Sequence, residues 1–310
     1  MEKNLYIDAS HPNETRIVLK SDNSIEEYEF EDKNNLNFKN NIYLGTISRV
    51  EPSLQAAFVN FGRERHGFLA FNDIQSDYYQ IPSEDKDKIK AAEEKIREDL
   101  KNKNLENSLE NSSNTNSEEI KDNEINVTNN VEEKKKEYRE EVKTSLGIKR
   151  YKIQEVIKPG QVILIQVIKE ERGQKGAALT TFISLAGKYM VLMPNTPKGG
   201  GISRKIFNFG ERKKIRSILN EIKIPKEMGL IVRTAGSNKT KNDIEYDLSS
   251  LIESWNKIKE NAMNSMAPAL IHQESDIIKR TLRDIYDDET KSIIVQGNEG
   301  YQKAKNFMKI

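Results

Sequence analysis

The chain has 310 residues, of which 35% are hydrophobic and 32% are charged, and its formal net charge at pH 7 is +1. It contains no cysteine, which excludes disulfides and a thiolate metal site and fits a reducing compartment. Its first residues, MEKNLYIDAS, are charged and lack an apolar run, so we expect no secretory signal, no membrane segment and a cytoplasmic location.

Alternation of apolar and polar residues predicts a small sheet near the amino terminus. The expected strands are residues 4–8, 15–20 and 24–30, with a turn at residues 11–13.

The next stretch has the pattern of a small barrel. Strands are expected at residues 42–51, 55–61 and 66–71, and glycines stand where strands of a tightly coiled sheet bend or turn. After a long interruption the pattern resumes with strands at 161–169 and 177–184. Five strands with this turn chemistry predict an OB-fold.

Aromatic and basic side chains lie together in residues 41–74, namely Phe58, Phe61 and Phe68 with Arg49, Arg63 and Arg65. Aromatic rings stack on unpaired bases and cations hold the phosphate backbone, so the stretch predicts binding of single-stranded RNA. Phenylalanines in strands also commonly belong to the core. If Val59 points inward, however, alternation along the strand turns Phe58 outward.

Residues 81–149 differ in composition from the rest of the chain. They hold 14 Lys and Arg against 18 Asp and Glu, which leaves 36 basic and 31 acidic residues elsewhere. Such a segment buries too little apolar area to fold, so we predict a disordered insertion or a loose charged helix. It is either a neutral expansion or a segment that recruits a partner.

A mixed helix and strand region follows the barrel. Ile215, Ile218, Leu219 and Ile222 predict one helix, and residues 229–233 predict a short buried strand. A longer helical stripe runs from Ile244 to Ala262 and includes Trp255, which we assign to the core.

Several ordered segments resemble one known family, namely EPSLQAAFVNFGRERHGF, KEERGQKGAALTTFISLAGKYMVLMPN, GGISRKI, GLIVRTAG and LIHQES. Together they are similar to the ribonuclease E/G family over nearly the whole chain except residues 80 to about 150. The resemblance implies an α+β fold. In it, a five-stranded OB-fold barrel of the S-one RNA-binding type is inserted in an incomplete RNase H-like subdomain and is followed by a small α/β 5′-sensor region.

The corresponding domain boundaries are set by these motifs. Residues 1–37 are expected to supply the amino-terminal strands of the RNase H-like subdomain, and residues 38–186 the barrel with its insertion at 81–149. Residues 187–266 are expected to form the 5′-sensor region, and residues 267–310 the truncated start of the second RNase H-like half.

The resemblance also implies two groups of site residues. The 5′-monophosphate ligands are expected at Arg233 and Thr234, with Gly187 and Val191 holding and stacking on the terminal nucleotide. An Arg-Thr pair can also simply end a strand. The RNA-binding group combines Phe58, Phe61, Arg65 and Phe68, which the barrel pattern predicts, with Lys169 and Lys175, which the resemblance adds. Both lysines flank a hairpin turn, where they could equally be ordinary solvated residues.

No catalytic or metal-binding residue is expected in this chain. The family hydrolyses RNA with Mg²⁺ held by acidic side chains, which we expect beyond Ile310, and it joins subunits through Zn²⁺ on a Cys pair that is not in this chain. The acidic residues Asp284, Asp287, Asp288 and Glu289 suit a solvated helix end rather than a metal site.

Two functions remain open. The first is the amino-terminal part of a single-strand-specific endoribonuclease of RNA processing and decay, which binds RNA and senses its 5′ monophosphate. The alternative, for the isolated chain, is a non-catalytic single-stranded RNA-binding module. The expected partner is single-stranded RNA and not DNA, and a homo-oligomer is expected for the full-length enzyme.

Overall fold

The computed structural model describes residues 3–22, 24–32, 38–89, 91, 151–171, 175–196, 201–222, 225, 228–274, 276–286 and 289–308. Residues 83–89 are helical, but most of the predicted insertion lies outside the described residues. The same holds for Asp287, Asp288 and part of the hairpin turn that Lys169 and Lys175 flank. The expectations for these segments stay predictions.

The two ends of the chain share one four-stranded sheet. Its strands lie in the order β14, β1, β2, β3, where β1 is Lys3–Asp8, β2 Glu14–Ser21, β3 Ser24–Asp32 and β14 Thr290–Gln296. Apolar residues alternate along β1 and β2, so one face packs on two helices, α4 (Ile277–Asp284) and α5 (Asn298–Met308). The barrel therefore lies, in sequence, between the parts of this sheet.

The barrel has five strands and closes on itself. They are β4 (Ile42–Glu51), β5 (Ala56–Asn60), β6 (Gly67–Ala70), β7 (Val162–Lys169) and β8 (Ala178–Thr180). Their order is β4, β5, β6, β8, β7, and an antiparallel pairing of β7 with β4 completes the circle. A short helix, α1 (Ile153–Val156), adds to the barrel core. The predicted α+β fold with a five-stranded OB-type barrel is confirmed.

One barrel strand is shorter than predicted. We expected residues 177–184, but β8 ends at Thr180. The reason is that the backbone N–H and the hydroxyl of Thr181 both donate to the carbonyl of Asp73, each at 2.9 Å, instead of continuing the strand pairing.

A second sheet and two helices form the third region. The sheet has the order β11, β12, β10, β9, where β9 is Leu185–Ala186, β10 Met190–Met193, β11 Gly201–Ile202 and β12 Gly229–Val232. The helices are α2 (Phe209–Glu221) and α3 (Lys241–Asn264). The stripe predicted on α3 is buried at Ile244, Leu248, Leu251 and Ile258, and Trp255 packs partly buried against the same core.

One strand joins a different sheet from the one expected. We assigned residues from 267 onward to the second RNase H-like half, but β13 (Ala269–His272) pairs with β4 of the barrel. Strand β4 is long enough for this, because it pairs with β5 from Thr46 onward and leaves the edge at residues 42–44 for β13.

Candidate functional site

Five residues line up across the outer surface of the barrel, one on each strand. Arg49 lies opposite Phe58, Phe58 opposite Phe68, Phe68 opposite Ala178, and Ala178 opposite Lys169. We call these five residues the barrel row. With strands spaced about 4.8 Å apart, the row follows the curved surface of the barrel for roughly 19 Å. It presents two aromatic rings between a guanidinium and an ammonium group.

The two rings of the barrel row face outward because their neighbours along the strand face inward. Val59 and Leu69 are fully buried, whereas Phe58 is half-buried and Phe68 is 36% exposed. The rings meet edge to face with centroids 6.1 Å apart. The outward orientation of Phe58 agrees with the alternation that the sequence predicted.

A β-bulge at Ser48 directs Arg49 to this surface. Ile47 pairs with Val59 and Arg49 with Phe58, so Ser48 is the extra residue between two pairs. Without it, Arg49 would share the inward face of buried Ile47. The Arg49 guanidinium carbon instead lies 4.4 Å from the centroid of the Phe58 ring.

The Ser48 hydroxyl also ties this surface together. It donates to the carbonyl of Phe58 at 3.0 Å. It also lies 3.0 Å from Nδ1 of His66, the residue that directly precedes β6. His66 was not among the predicted site residues, and Arg49 was named only as one of the basic residues of the stretch. The placement of Arg49 beside Phe58 depends on the bulge, which no local pattern in the sequence reveals.

The prediction that Phe61 contacts RNA is wrong. Phe61 is 1% exposed in the barrel core, where its ring packs edge to face on Tyr43 at 5.2 Å between centroids. Phe58 and Phe61 are three residues apart, and an odd spacing along extended chain puts side chains on opposite faces. That spacing was a signal available in the sequence.

The remaining predicted RNA-binding residues are on the surface near the barrel row. Arg65 is exposed in the bend at residues 62–65 between β5 and β6. Lys169 is exposed at the end of β7, and Lys175 is exposed just before β8. The structure therefore brings Lys169 into the barrel row and leaves Arg65 and Lys175 in the loops beside it.

The four predicted 5′-phosphate residues lie at one end of the second sheet, around the turn from β9 to β10 and the carboxyl end of β12. Val191 in β10 is paired with Ile231 in β12, and Arg233 follows Ile231 by two residues on the same face. The backbone N–H of Arg233 donates to the carbonyl of Tyr189 at 2.8 Å, which extends this pairing. Ile231, 36% exposed beside Val191, is an apolar member of the group that the sequence analysis did not identify.

Arg233 is fixed through one of its two terminal nitrogens. Its Nη1 donates to the carbonyl of Gly187 at 2.8 Å and lies 2.6 Å from Oδ1 of Asp284. Within the described part of the chain, Nε and Nη2 have no hydrogen-bond partner. The exposed Thr234 hydroxyl likewise has none there. One edge of the guanidinium and a neighbouring hydroxyl are thus available to a ligand.

Asp284 is not the solvated helix end that the sequence suggested. Besides Arg233, it is bound by Nε and Nη2 of Arg283 at 3.1 and 2.8 Å, and its side chain is 30% exposed. Burial raises the pKa of this carboxyl, but the hydrogen bonds and charges of Arg283 and Arg233 outweigh burial and lower the pKa overall. Asp284 is therefore ionised at neutral pH and holds Arg233 in place.

Gly187 has a steric reason to be glycine. A Cβ at this position would lie 2.6 and 2.7 Å from the two carboxylate oxygens of Asp247. That carboxylate accepts the backbone N–H groups of Lys188, Tyr189 and Met190 at 3.2, 2.9 and 3.2 Å. It cannot move away without losing these bonds.

Substituting Gly187 by alanine is therefore expected to destabilise the protein by about 1–3 kcal/mol, because the added methyl group overpacks a fixed carboxylate. The midpoint of urea denaturation measures this. Gly201→Ala is the matched control, since a Cβ there meets no atom within 4 Å. Equal midpoints for the two variants would contradict the steric assignment.

Hydrogen bonds connect the barrel to the second sheet. The Asn195 side chain accepts the N–H of Ile183 at 2.9 Å and donates to the carbonyl of Thr181 at 2.7 Å and to Gln75 at 3.0 Å. Gln166 of β7 exchanges hydrogen bonds with the backbone of Ser184 at 2.8 and 2.9 Å. The segment that leads from β8 to β9 is thus fixed at both ends.

The described residues do not fit a metal site. Among them, no group of three or more His, Asp or Glu side chains is arranged to hold an ion, so neither Mg²⁺ nor Zn²⁺ is assigned to them. In the same part of the chain, no helix combines the length and hydropathy that crossing a bilayer requires.

Comparison with known proteins points to one family. The model of the Ribonuclease E/G family matches residues 184–310. Ribonuclease E of Haemophilus influenzae is 34% identical over 308 residues, which covers 99% of this chain and 26% of that protein. Ribonuclease E of Escherichia coli is 35% identical over 306 residues, covering 99% of this chain and 23% of that protein.

A shorter relative, the putative ribonuclease E of Buchnera aphidicola subsp. Baizongia pistaciae, is 33% identical over 306 residues, and the match covers 59% of its length. The chain thus spans about a quarter of the length of the first two relatives. On the family match and on identities that extend over nearly all of its residues, the chain belongs to the ribonuclease E/G family.

Proposed function

We propose that this chain binds single-stranded RNA along the barrel row and receives the 5′-terminal monophosphate of RNA at Gly187, Val191, Arg233 and Thr234, which we call the Arg233 cluster. The barrel row carries the proposal. Its two outward rings can stack on unpaired bases, while Arg49 and Lys169 at its ends meet backbone phosphates. Stacking on rings tolerates any base, so this surface reads single strands rather than sequence.

The Arg233 cluster supports recognition of a terminal phosphate. The free Nε and Nη2 edge can bind two phosphate oxygens in parallel, and the Thr234 hydroxyl can donate to a third. Val191 and Ile231 on the same sheet face offer an apolar surface for the terminal nucleotide. The Asp284 carboxylate, 2.6 Å from Arg233, would repel the additional charge of a triphosphate, which favours a monophosphate.

The wider proposal is that the chain is the RNA-gripping part of an endoribonuclease of RNA processing and decay, in line with the relatives named ribonuclease E. We derive no hydrolytic step from the described residues, because they include no metal-binding cluster. The alternative is that the isolated chain binds RNA without cutting it.

Binding of fluorescent RNA by the purified chain tests the proposal. A 20-nucleotide unstructured RNA is expected to bind more tightly with a 5′ monophosphate than with a 5′ hydroxyl or triphosphate, and more tightly than a duplex. The logarithm of affinity should fall with the logarithm of salt concentration by about 0.7 per neutralised phosphate. Equal affinity for single strand and duplex, or no dependence on salt, would reject RNA binding by the barrel row.

The same RNA separates the two functions. With Mg²⁺ present, intact RNA after prolonged incubation is the result expected for a binding module, whereas defined cleavage products would place catalysis within this chain.

A further inference from the structure

We propose that the surface around the start of α2 is a second contact site for single-stranded RNA. We call it the α2 patch, and its residues are Arg204, Lys205, Phe207, Phe209, Lys213 and Arg216. The inference rests on the proposed RNA binding and adds to it a surface that acts independently of the 5′ phosphate.

The two rings of the α2 patch are unusually open to solvent. Phe207 is 90% exposed and Phe209 is 49% exposed. Large exposed rings only two residues apart in the chain call for a binding explanation rather than a packing one. Ile206, immediately before them, is 4% exposed and packs on Ile215 and Val232. The backbone therefore turns one side chain inward and the next outward.

The backbone that presents these rings is held by hydrogen bonds. Nη1 of Arg212 donates to the carbonyls of Ser203 and Ile206 at 3.0 and 3.1 Å. The Asn208 side chain caps α2 by accepting the N–H of Gly210 at 2.9 Å. The rings thus project from a fixed segment, so little ordering is needed when a ligand binds.

The charge of the α2 patch complements a polyanion. Six basic residues and one acidic residue, Glu211, lie between residues 204 and 216. Glu211 accepts a hydrogen bond from the Ser237 hydroxyl. Within the described part of the chain, Arg204, Lys205, Lys213, Lys214 and Arg216 form no ion pair.

Helical spacing puts the Phe209 ring and two cations on one face of α2. Phe209, Lys213 and Arg216 follow each other at steps of four and three residues, so they share a face of α2. The apolar part of the patch amounts to two rings surrounded by cations. Successive bases and phosphates of a single strand match this alternation, whereas the core of a protein interface is depleted of charge.

The α2 patch is adjacent to the Arg233 cluster. The N–H of Ser203 donates to the carbonyl of Val232 at 2.8 Å, and Val232 directly precedes Arg233. A strand held at the Arg233 cluster can therefore reach the patch within a few nucleotides, where the patch contacts the body of the strand rather than its 5′ end. Its contribution should be equal for RNAs with a 5′ monophosphate and a 5′ hydroxyl.

The test compares the wild-type chain with a Phe207→Ala, Phe209→Ala double variant, using the same 20-nucleotide RNA with either 5′ group. Removal of two stacking rings is expected to weaken binding about tenfold or more for both RNAs. Tyr246→Ala is the matched control, because Tyr246 is 59% exposed on α3, and it should bind as the wild type does. Circular dichroism checks that each variant is folded.

A second pair of measurements distinguishes failure of the α2 patch inference from failure of the proposed RNA binding. Lys213→Gln with Arg216→Gln should lower the salt dependence by about two phosphates, and ultraviolet crosslinking of thiouridine RNA should mark residues 204–216. If the wild type binds RNA and the double phenylalanine variant binds equally well without crosslinks there, this inference fails alone. If the double phenylalanine variant keeps the wild-type affinity for RNA but loses binding to anionic vesicles, the patch contacts membranes instead, and the inference is also overturned. If the wild type binds no RNA, the proposed function itself fails.

Discussion

A chain in which Phe58 and Phe68 are both replaced by alanine is expected to bind unstructured RNA at least about 30-fold more weakly than the wild type. Each ring can stack on one base, and stacking contributes about 1–3 kcal/mol per base, or roughly 5- to 150-fold in affinity. The loss should be the same for every 5′ end group, because the barrel row contacts the body of the strand.

The two substitutions are expected to be coupled. Their ring centroids are 6.1 Å apart, so removal of one ring disturbs the orientation of the other. A full cycle of single and double variants would measure this coupling. The fold should persist, because Val59, Leu69 and Leu179, which fill the barrel core, are untouched.

Tyr28→Ala provides the control for this prediction. Tyr28 is an aromatic residue in a strand and 60% exposed, but it lies in β3 of the other sheet. Its loss should leave RNA affinity unchanged. Equal affinities of the double variant and the wild type would remove the barrel row from the binding surface.

The sequence predicted those parts of the molecule that local patterns determine. The bounds of β4 agree with the prediction at both ends, residues 42 and 51. The stripe of α3 is buried as predicted, because apolar spacing of three and four residues defines one helix face. The outward turn of Phe58 follows from strand alternation alone.

Contacts between residues distant in the sequence could not be predicted in this way. Asp284 meets Arg233 because the end of α4 reaches the second sheet, where Nη1 of Arg283 donates to the carbonyl of Ala186 at 3.2 Å, and nothing near Asp284 or Arg233 in the chain signals the ion pair. The pairing of β13 with β4 depends on an edge that β5 leaves free. A β-bulge cannot be predicted from local patterns either, since the bulge at Ser48 is visible only in the pairing register of β4 and β5.

The Arg233 cluster is understood only when the sequence motifs and the contacts between distant residues are considered together. Sequence motifs named Arg233, Thr234, Gly187 and Val191, but they did not show that Asp284 and the Gly187 carbonyl bind the same nitrogen of Arg233. That arrangement determines which edge of the guanidinium is open. It also predicts that a substitution at Arg233 affects ligand recognition more than folding, because Asp284 keeps both bonds to Arg283.

Replacing Arg233 by alanine is expected to abolish the preference for a 5′ monophosphate over a 5′ hydroxyl. Hydrogen bonds to charged groups contribute about 1.5–3 kcal/mol, so the ratio of the two dissociation constants should fall by about 10- to 150-fold. Arg233→Lys keeps the charge but loses the two parallel donors, so an intermediate ratio is expected. Arg16→Ala, which removes an exposed arginine paired with Glu14 at 2.7 Å, should leave the ratio unchanged.

The pH dependence of that ratio identifies the group that is recognised. A terminal phosphate loses its second charge below a pKa of about 6, so the preference should decline as the pH falls from 7 to 5. Asp284 stays ionised over this range, since its neighbours lower its pKa. The decline therefore reports on the phosphate and should vanish in Arg233→Ala. A variant that retains both the preference and its pH dependence would show that the 5′ phosphate binds elsewhere.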